Sequence, residues 1–303
     1  MNTVTKKRTE SPFVTALQWH IDEEASELWE ESPVNRFISP SPVLPPEEDA
    51  PIDKLPARQV YSDNTERFAA THLSTAGKPA GKPQKLPPGV AEKRSEALKL
   101  ATEARSLSEL KEAILAFQGL SLKNTATNMV FSDGFPDAKV MIVGGAPDTD
   151  EDRLGLPFVG VSGMLLDRIF AHIGLSRKNE SPETGLYISN ILNWRPPGNR
   201  TPNQDEIAVS LPFIERHIAL AAPEILVFAG GIAVNSLLKR EEGMSKLRGQ
   251  WHQYRLDGAN EKPEIAAMPT YHPSYLLGNP AQKKAVWADI LMIRNKLTTL
   301  NSD

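Results

Sequence analysis

The sequence predicts an α/β protein, a three-layer α/β/α sandwich around a central four-stranded parallel sheet. Two observations predict it. Residues 140–143, 186–191, 225–229 and 265–268 are short β-rich runs, mostly apolar, as strands buried on both faces are. Stretches of helical length separate these runs, and strand–helix alternation builds a parallel sheet whose right-handed crossovers cover both faces.

The elements follow in chain order. Residues 13–31 place Val14, Leu17, Ile21, Ala25 and Leu28 close to one helical face, and Pro33 ends the run. Residues 1–38 are therefore expected to be an amphipathic helix arm. Residues 39–90 are rich in Pro, Ser, Lys and Asp without a sustained period, which reads as a disordered linker. Such a linker would not hold the arm in place, so a protein partner for the arm outweighs a flap on its own domain. The folded domain is expected over 91–303. It opens with helices at 91–104 and 107–117, the second starting at Ser106 with Glu109 at capping-box spacing. Further helices are expected at 162–173, 204–221, 232–238 and 282–297.

Composition narrows the function. The chain has 303 residues, 34 Lys+Arg against 38 Asp+Glu and a net charge of -4, so any nucleic-acid contact must be local. The absence of cysteine excludes disulfides, a thiolate nucleophile and a cysteine-held zinc or iron–sulfur site. The start, Met1 to Arg8, leads into a mixed polar segment without the apolar core of a signal peptide, and no membrane span is read. A monomeric, cytoplasmic protein is expected.

In open α/β sheets ligands bind at the carboxyl ends of the strands. The first strand delivers Gly144-Gly145-Ala146-Pro147-Asp148, an acidic run, then Gly155-Leu156-Pro157-Phe158-Val159-Gly160. Phe158, between Pro157 and Gly160, offers a stacking surface to a flat ligand. The second strand ends in Asn190 and runs into a proline-stiffened loop to Pro202. A carboxamide donates and accepts at once, which suits reading a nucleobase edge. The third strand gives Gly230-Gly231, and the fourth leads to His272-Pro273-Ser274-Tyr275-Leu276-Leu277. Taken singly, Asn190 is a turn residue, His272 a loop residue and Phe158 core. Their shared place on one predicted edge favours a site. Paired leucines at a loop tip suggest insertion into something.

Three long motifs in this order resemble the family 4 uracil-DNA glycosylases, from about residue 105 to the end. Gly144–Gly160 is similar to the family's Gly-Glu-Ala-Pro-Gly, acidic, Gly-Leu-Pro-Phe-Val-Gly pattern. Residues 190–202 match its Asn-x-x-x-x-Arg-Pro-Pro-Gly-Asn-Arg-Thr-Pro loop, and His272–Leu277 its His-Pro-Ser loop with paired leucines. More weakly, helix 13–31 with Ser32–Arg36 looks like the leader of alphaproteobacterial members. The resemblance implies a uracil-DNA glycosylase-like fold and an enzyme that flips uracil from DNA and hydrolyses its N-glycosidic bond. By it, uracil stacks on Phe158, and Asn190 reads O4 and N3–H. Cytosine presents the opposite donor pattern, at a cost of about 1–3 kcal/mol per bidentate pair. The backbone of Gly144, Gly145, Ala146 and Pro147 closes on the base, and His272 stabilises charge at O2. Arg200, Pro273, Ser274, Leu276 and Leu277 contact DNA, with the leucines filling the vacated stack.

The chain departs from the family twice. Most members hold a four-iron, four-sulfur cluster on four cysteines, which align with Phe117, Leu120, Trp194 and Ser210 here. No cofactor is therefore expected; packed side chains should fill the cluster's space, with Trp194 against Phe117 or Leu120. The family's Glu and second Gly of the first motif are Gly145 and Asp148 here. Asp148 could position water in place of the lost carboxylate, as could Asp150 or Glu151, or His272 could suffice. The alternative is a degenerate member acting as a DNA-binding or adaptor module.

Overall fold

A computed structural model describes residues 86–256 and 264–300. The expected arm, and the expected linker up to residue 85, lie outside the described residues. The first helix, α1 (Pro88–Glu103), starts inside the expected end of the linker, with proline in its first turn. There the missing proline N–H costs nothing, because the first turn has no acceptor for it. The second, α2 (Leu107–Ala116), is capped by Ser106, which accepts from Glu109 N–H.

The sheet comprises β1 (Ser132–Gly134), β2 (Val140–Gly144), β3 (Tyr187–Asn190), β4 (Ile225–Ala229), β5 (His252–Tyr254) and β6 (Ile265–Thr270). Their spatial order is β1-β3-β2-β4-β6-β5. The inner four pair in parallel, as the sequence predicts. The edges differ from that expectation: β1 and β5 add antiparallel strands, making a mixed six-stranded sheet. Each is three residues long, too short for a periodic signal. Pro269 is tolerated within β6 because it lies beyond the last residue paired with β5.

Connecting helices are α3 (Thr149–Leu154), α4 (Gly160–Ala171), α5 (Gln204–Ala221), α6 (Gly231–Leu238), α7 (Met244–Leu247), α8 (Pro273–Gly278) and α9 (Lys283–Leu300). Alternating strand residues feed two cores. Met141, Val143, Tyr187, Leu226 and Phe228 join Ala97, Leu110, Ile114, Phe213 and Val234 of α1, α2, α5 and α6 in one apolar cluster. Ile142, Ile188 and Val227 point the other way and are equally buried, on the face where α4 packs against α8 and α9. The chain leaves β2 toward β3 on one side and leaves β4 toward β6 on the other. The crevice between the carboxyl ends of β2 and β4 is thus a topological switch point, where such folds bind ligands. Among the described residues, no helix is long and apolar enough to cross a membrane.

Candidate active site

The parallel register sets Gly144, the last residue of β2, beside Asn190, the last of β3. A Cβ at residue 144 would fall 2.2 Å from Asn190 Oδ1 and 2.7 Å from the Phe158 ring, so only glycine lets both approach. Asn190 is 2% exposed, and its Nδ2 donates to Glu151 Oε1 at 3.2 Å.

Phe158 has φ 50, a left-handed conformation that non-glycine residues hold only when the surroundings impose it. Here they do. Its N–H donates to Glu151 Oε1 at 2.5 Å, and its carbonyl accepts from Arg177 Nη2 at 2.9 Å. Arg177 also donates to the Pro157 carbonyl and is itself held by Asp133 of β1 and Asp167 of α4. Gly163 makes room, since a Cβ there would meet the Phe158 carbonyl oxygen at 1.9 Å.

The carboxylates sort themselves by contact. Asp148 is the N-cap of α3, its Oδ1 accepting from Asp150 N–H and Glu151 N–H at 2.9 and 3.0 Å. That oxygen is committed to the helix end rather than held ready for a water. Asp150 pairs with Arg153 at the surface, 3.3 Å away. Glu151 alone reaches the pocket, accepting from Asp148 N–H, Phe158 N–H and Asn190 Nδ2. Loss of solvent pushes its pKa up to about 7; the Phe158 N–H opposes this, and the Asp148 charge adds to it.

His272 caps α8. Its Nδ1 accepts from Ser274 N–H at 3.3 Å and lies 2.7 Å from Ser274 Oγ. An accepting Nδ1 places the proton of the neutral ring on Nε2. Burial of the imidazole pushes its pKa down to about 4, so the ring is uncharged at neutral pH. It lies 5.0 Å from the Phe158 ring, tilted by 32°.

The leucine pair needs correcting. Leu276 is completely buried, and Pro273 with it, whereas Leu277 is 45% exposed. The expected loop tip is the helix α8, and successive helical residues point about 100° apart, so one leucine anchors the helix and the other faces out. Ser274 and Tyr275 are exposed beside Leu277. Arg200 is engaged bidentately by Glu206 at the start of α5, at 2.9 and 2.6 Å, although it keeps much of its surface in solvent.

At the aligned cysteine positions, Phe117, Leu120, Trp194 and Ser210 are all buried. The first three belong to one apolar core, in which Phe117 meets Phe213 edge-on at 5.3 Å. Ser210 Oγ has no hydrogen-bond partner. Phe117, Leu120 and Trp194 offer no lone pair to iron and one serine hydroxyl cannot replace four thiolates, so these residues do not fit the cluster. The loop after Trp194 is tied instead to α3, through Arg195 with Asp152 at 3.8 Å and Asn199 with Thr149 at 3.0 Å. Among the described residues, no group of three or more His, Asp or Glu could hold a metal. A Cβ at Gly145 would come 3.0 Å from Ile232 Cβ, closer than ordinary van der Waals contact.

The structure therefore brings Gly144, Phe158, Asn190 and His272 together, and leaves Asp148, Leu276 and Arg200 in other work. Arg177 and Gly163 were not legible in the sequence: Arg177 sits in a polar run that reads as solvated surface. The placement of Glu151 at capping-box spacing from Asp148 was a usable signal for α3.

Residues 131–291 match the family model of the uracil DNA glycosylase superfamily. The chain is 33% identical over 199 residues to a type-4 uracil-DNA glycosylase of Sulfurisphaera tokodaii, covering 64% of this chain and 86% of that protein. It is 32% identical over 199 residues to the corresponding protein of Saccharolobus solfataricus, covering 64% and 88%. Against that of Thermotoga maritima it is 35% identical over 154 residues, covering 50% and 73%.

Proposed function

This chain belongs to the uracil DNA glycosylase superfamily, within its type-4 enzymes, and from that premise we propose how its pocket removes uracil from DNA. The reading is carried by one observation: the Asn190 carboxamide and the Phe158 ring meet over Gly144, beside a neutral His272. A flipped uracil stacks on Phe158. Asn190 Nδ2–H donates to O4, and Oδ1 accepts from N3–H. The bond between N1 and C1′ breaks with its electron pair going to the base, and charge spreads to O2. His272 Nε2–H donates to that oxygen, and a neutral donor in a dry site stabilises the anion without first losing its own hydration. Water adds at C1′ and gives up a proton to solvent, the uracil anion takes one up on release, and free uracil and an abasic site are left.

Ser274, Tyr275 and Leu277 are exposed on α8, which supports this face entering the duplex where the nucleotide leaves. Packing of Phe117, Leu120 and Trp194 takes over the structural role that a cluster has in most relatives, and the enzyme works without a cofactor.

The test is release of uracil from a single-stranded uracil oligonucleotide. The full chain is expected to release it, and His272→Ala to lower kcat about a hundred- to a thousandfold, the effect of removing one oxyanion donor. Binding of the oligonucleotide without release by the wild type would overturn the enzyme reading in favour of a binding module.

A further inference from the structure

The hydrogen bonds around Glu151 bear on how the pocket tells bases apart. We propose that Glu151 fixes which way the Asn190 carboxamide faces, and so makes the site select uracil over cytosine. The inference rests on the uracil-pocket reading above.

A carboxamide is nearly symmetric in shape, and a half-turn exchanges its donor and acceptor. One orientation offers N–H to O4 and an oxygen to N3–H, which reads uracil. The other offers an oxygen to an exocyclic amine and N–H to N3, which reads cytosine. Asparagine alone does not choose between them. Its neighbour does: Asn190 Nδ2 donates to Glu151 Oε1 at 3.2 Å. Turning the amide would set Oδ1 against a carboxylate oxygen, acceptor against acceptor.

The ionised Glu151 cannot yield by reorganising, because both its oxygens are claimed by backbone donors. Oε1 accepts from Phe158 N–H at 2.5 Å and Oε2 from Asp148 N–H at 2.7 Å. Backbone N–H groups have no alternative polarity. Polarity thus passes in one direction, from two fixed peptide N–H groups through a carboxylate to the amide, and from the amide to the base. The same two bonds brace α3 and the Phe158 loop, so the group that orients the amide is itself immobile. Glu151 touches Asn190 and not the base, and is a positioning residue.

The experiment compares Kd values, at a pH above the raised pKa of Glu151, for two oligonucleotides, identical except for a 2′-fluoro-2′-deoxyuridine or a 2′-fluoro-2′-deoxycytidine, which resist hydrolysis because the fluorine disfavours the sugar cation. Wild type is expected to prefer the uridine roughly five- to 150-fold, the span of one bidentate pair. In Glu151→Gln, whose amide can face Asn190 with either its oxygen or its NH2, the preference is expected to fall toward one, with uridine affinity lost and cytidine affinity gained. A purely structural role would weaken both ligands equally and leave the ratio standing, which would overturn the proposal. Should Glu151→Gln fail to fold by thermal melting, Glu151→Asp serves. It keeps the charge but withdraws the carboxylate from Asn190, and a retained ratio there overturns the proposal equally. Absence of any preference in the wild type would instead overturn the uracil-pocket reading itself.

Discussion

At the scale of single residues, Gly145 and Ile232 show how a substitution in the family's most recognisable motif is fixed in place. A side chain at 145 would start 3.0 Å from Ile232 Cβ, a distance at which the neighbour must give way, and Ile232 is a stiff, β-branched residue on α6. Gly145→Glu alone is therefore expected to lower the melting temperature, with a cost of about 1–3 kcal/mol as for other overpacked sites. Adding Ile232→Ala should recover most of that loss, as thermal denaturation of the single and double variants would show; equal melting of the two would refute the steric account. Asn190 and His272 were legible as site candidates because one ends β3 and the other lies two residues past β6, where local pattern and topology coincide, and Phe158 because its Pro- and Gly-flanked motif follows the β2 turn and α3. Arg177 was not. It reaches Phe158 and Pro157 across about twenty positions of chain and acts through their carbonyls, so nothing in its own neighbourhood marks it.

At the scale of elements, the loop from Trp194 to Pro202 is held by core packing at one end and by polar ties to α3. Trp194 is 6% exposed within the core that contains Phe117 and Leu120. Trp194→Ala is expected to cost about 3–5 kcal/mol, the range for truncating a buried aromatic. Ser210→Ala should be neutral or stabilising by about 1 kcal/mol, since the hydroxyl is buried without a partner. Urea denaturation of both variants checks the pair. A large loss from Ser210→Ala would mean that the hydroxyl has a role the packing does not show. Strands and helices of full length followed from hydrophobic period, whereas β1, β5, α3 and α8 escaped it. They span three to six residues, and their order comes from pairing or capping: α3 through Asp148, α8 through His272. The hidden side of α8 is why Leu276 looked like a wedge.

Across the whole molecule, folding stability is tied to pH by groups whose proton affinity folding shifts. His217 of α5 lies 2.7 Å from the Tyr187 hydroxyl and stacks on Phe131 at 4.4 Å. Burial pushes its pKa down to about 3, against 6.5 when unfolded. The folded chain therefore binds fewer protons than the unfolded chain between those values. Stability from the neutral ring is fully present above pH 6.5 and is lost as pH falls toward 3, at up to about 1.4 kcal/mol per pH unit. His272, at about 4, acts in the same direction. Glu151 acts oppositely, because its folded pKa of about 7 exceeds the ordinary 4.5, and its contribution declines as pH rises through that window. The two histidines outweigh Glu151 between pH 4.5 and 6.5, so the melting temperature should climb with pH there, tempered by Asp289, whose carboxyl pKa is also raised by burial and which therefore acts with Glu151. His217→Asn removes one of the two titrations and should make the acid limb shallower by up to about 1.4 kcal/mol per pH unit. Melting curves for both chains from pH 4 to 7 test this directly. Parallel pH dependences would mean that the His217 ring keeps its ordinary affinity for protons in the folded core.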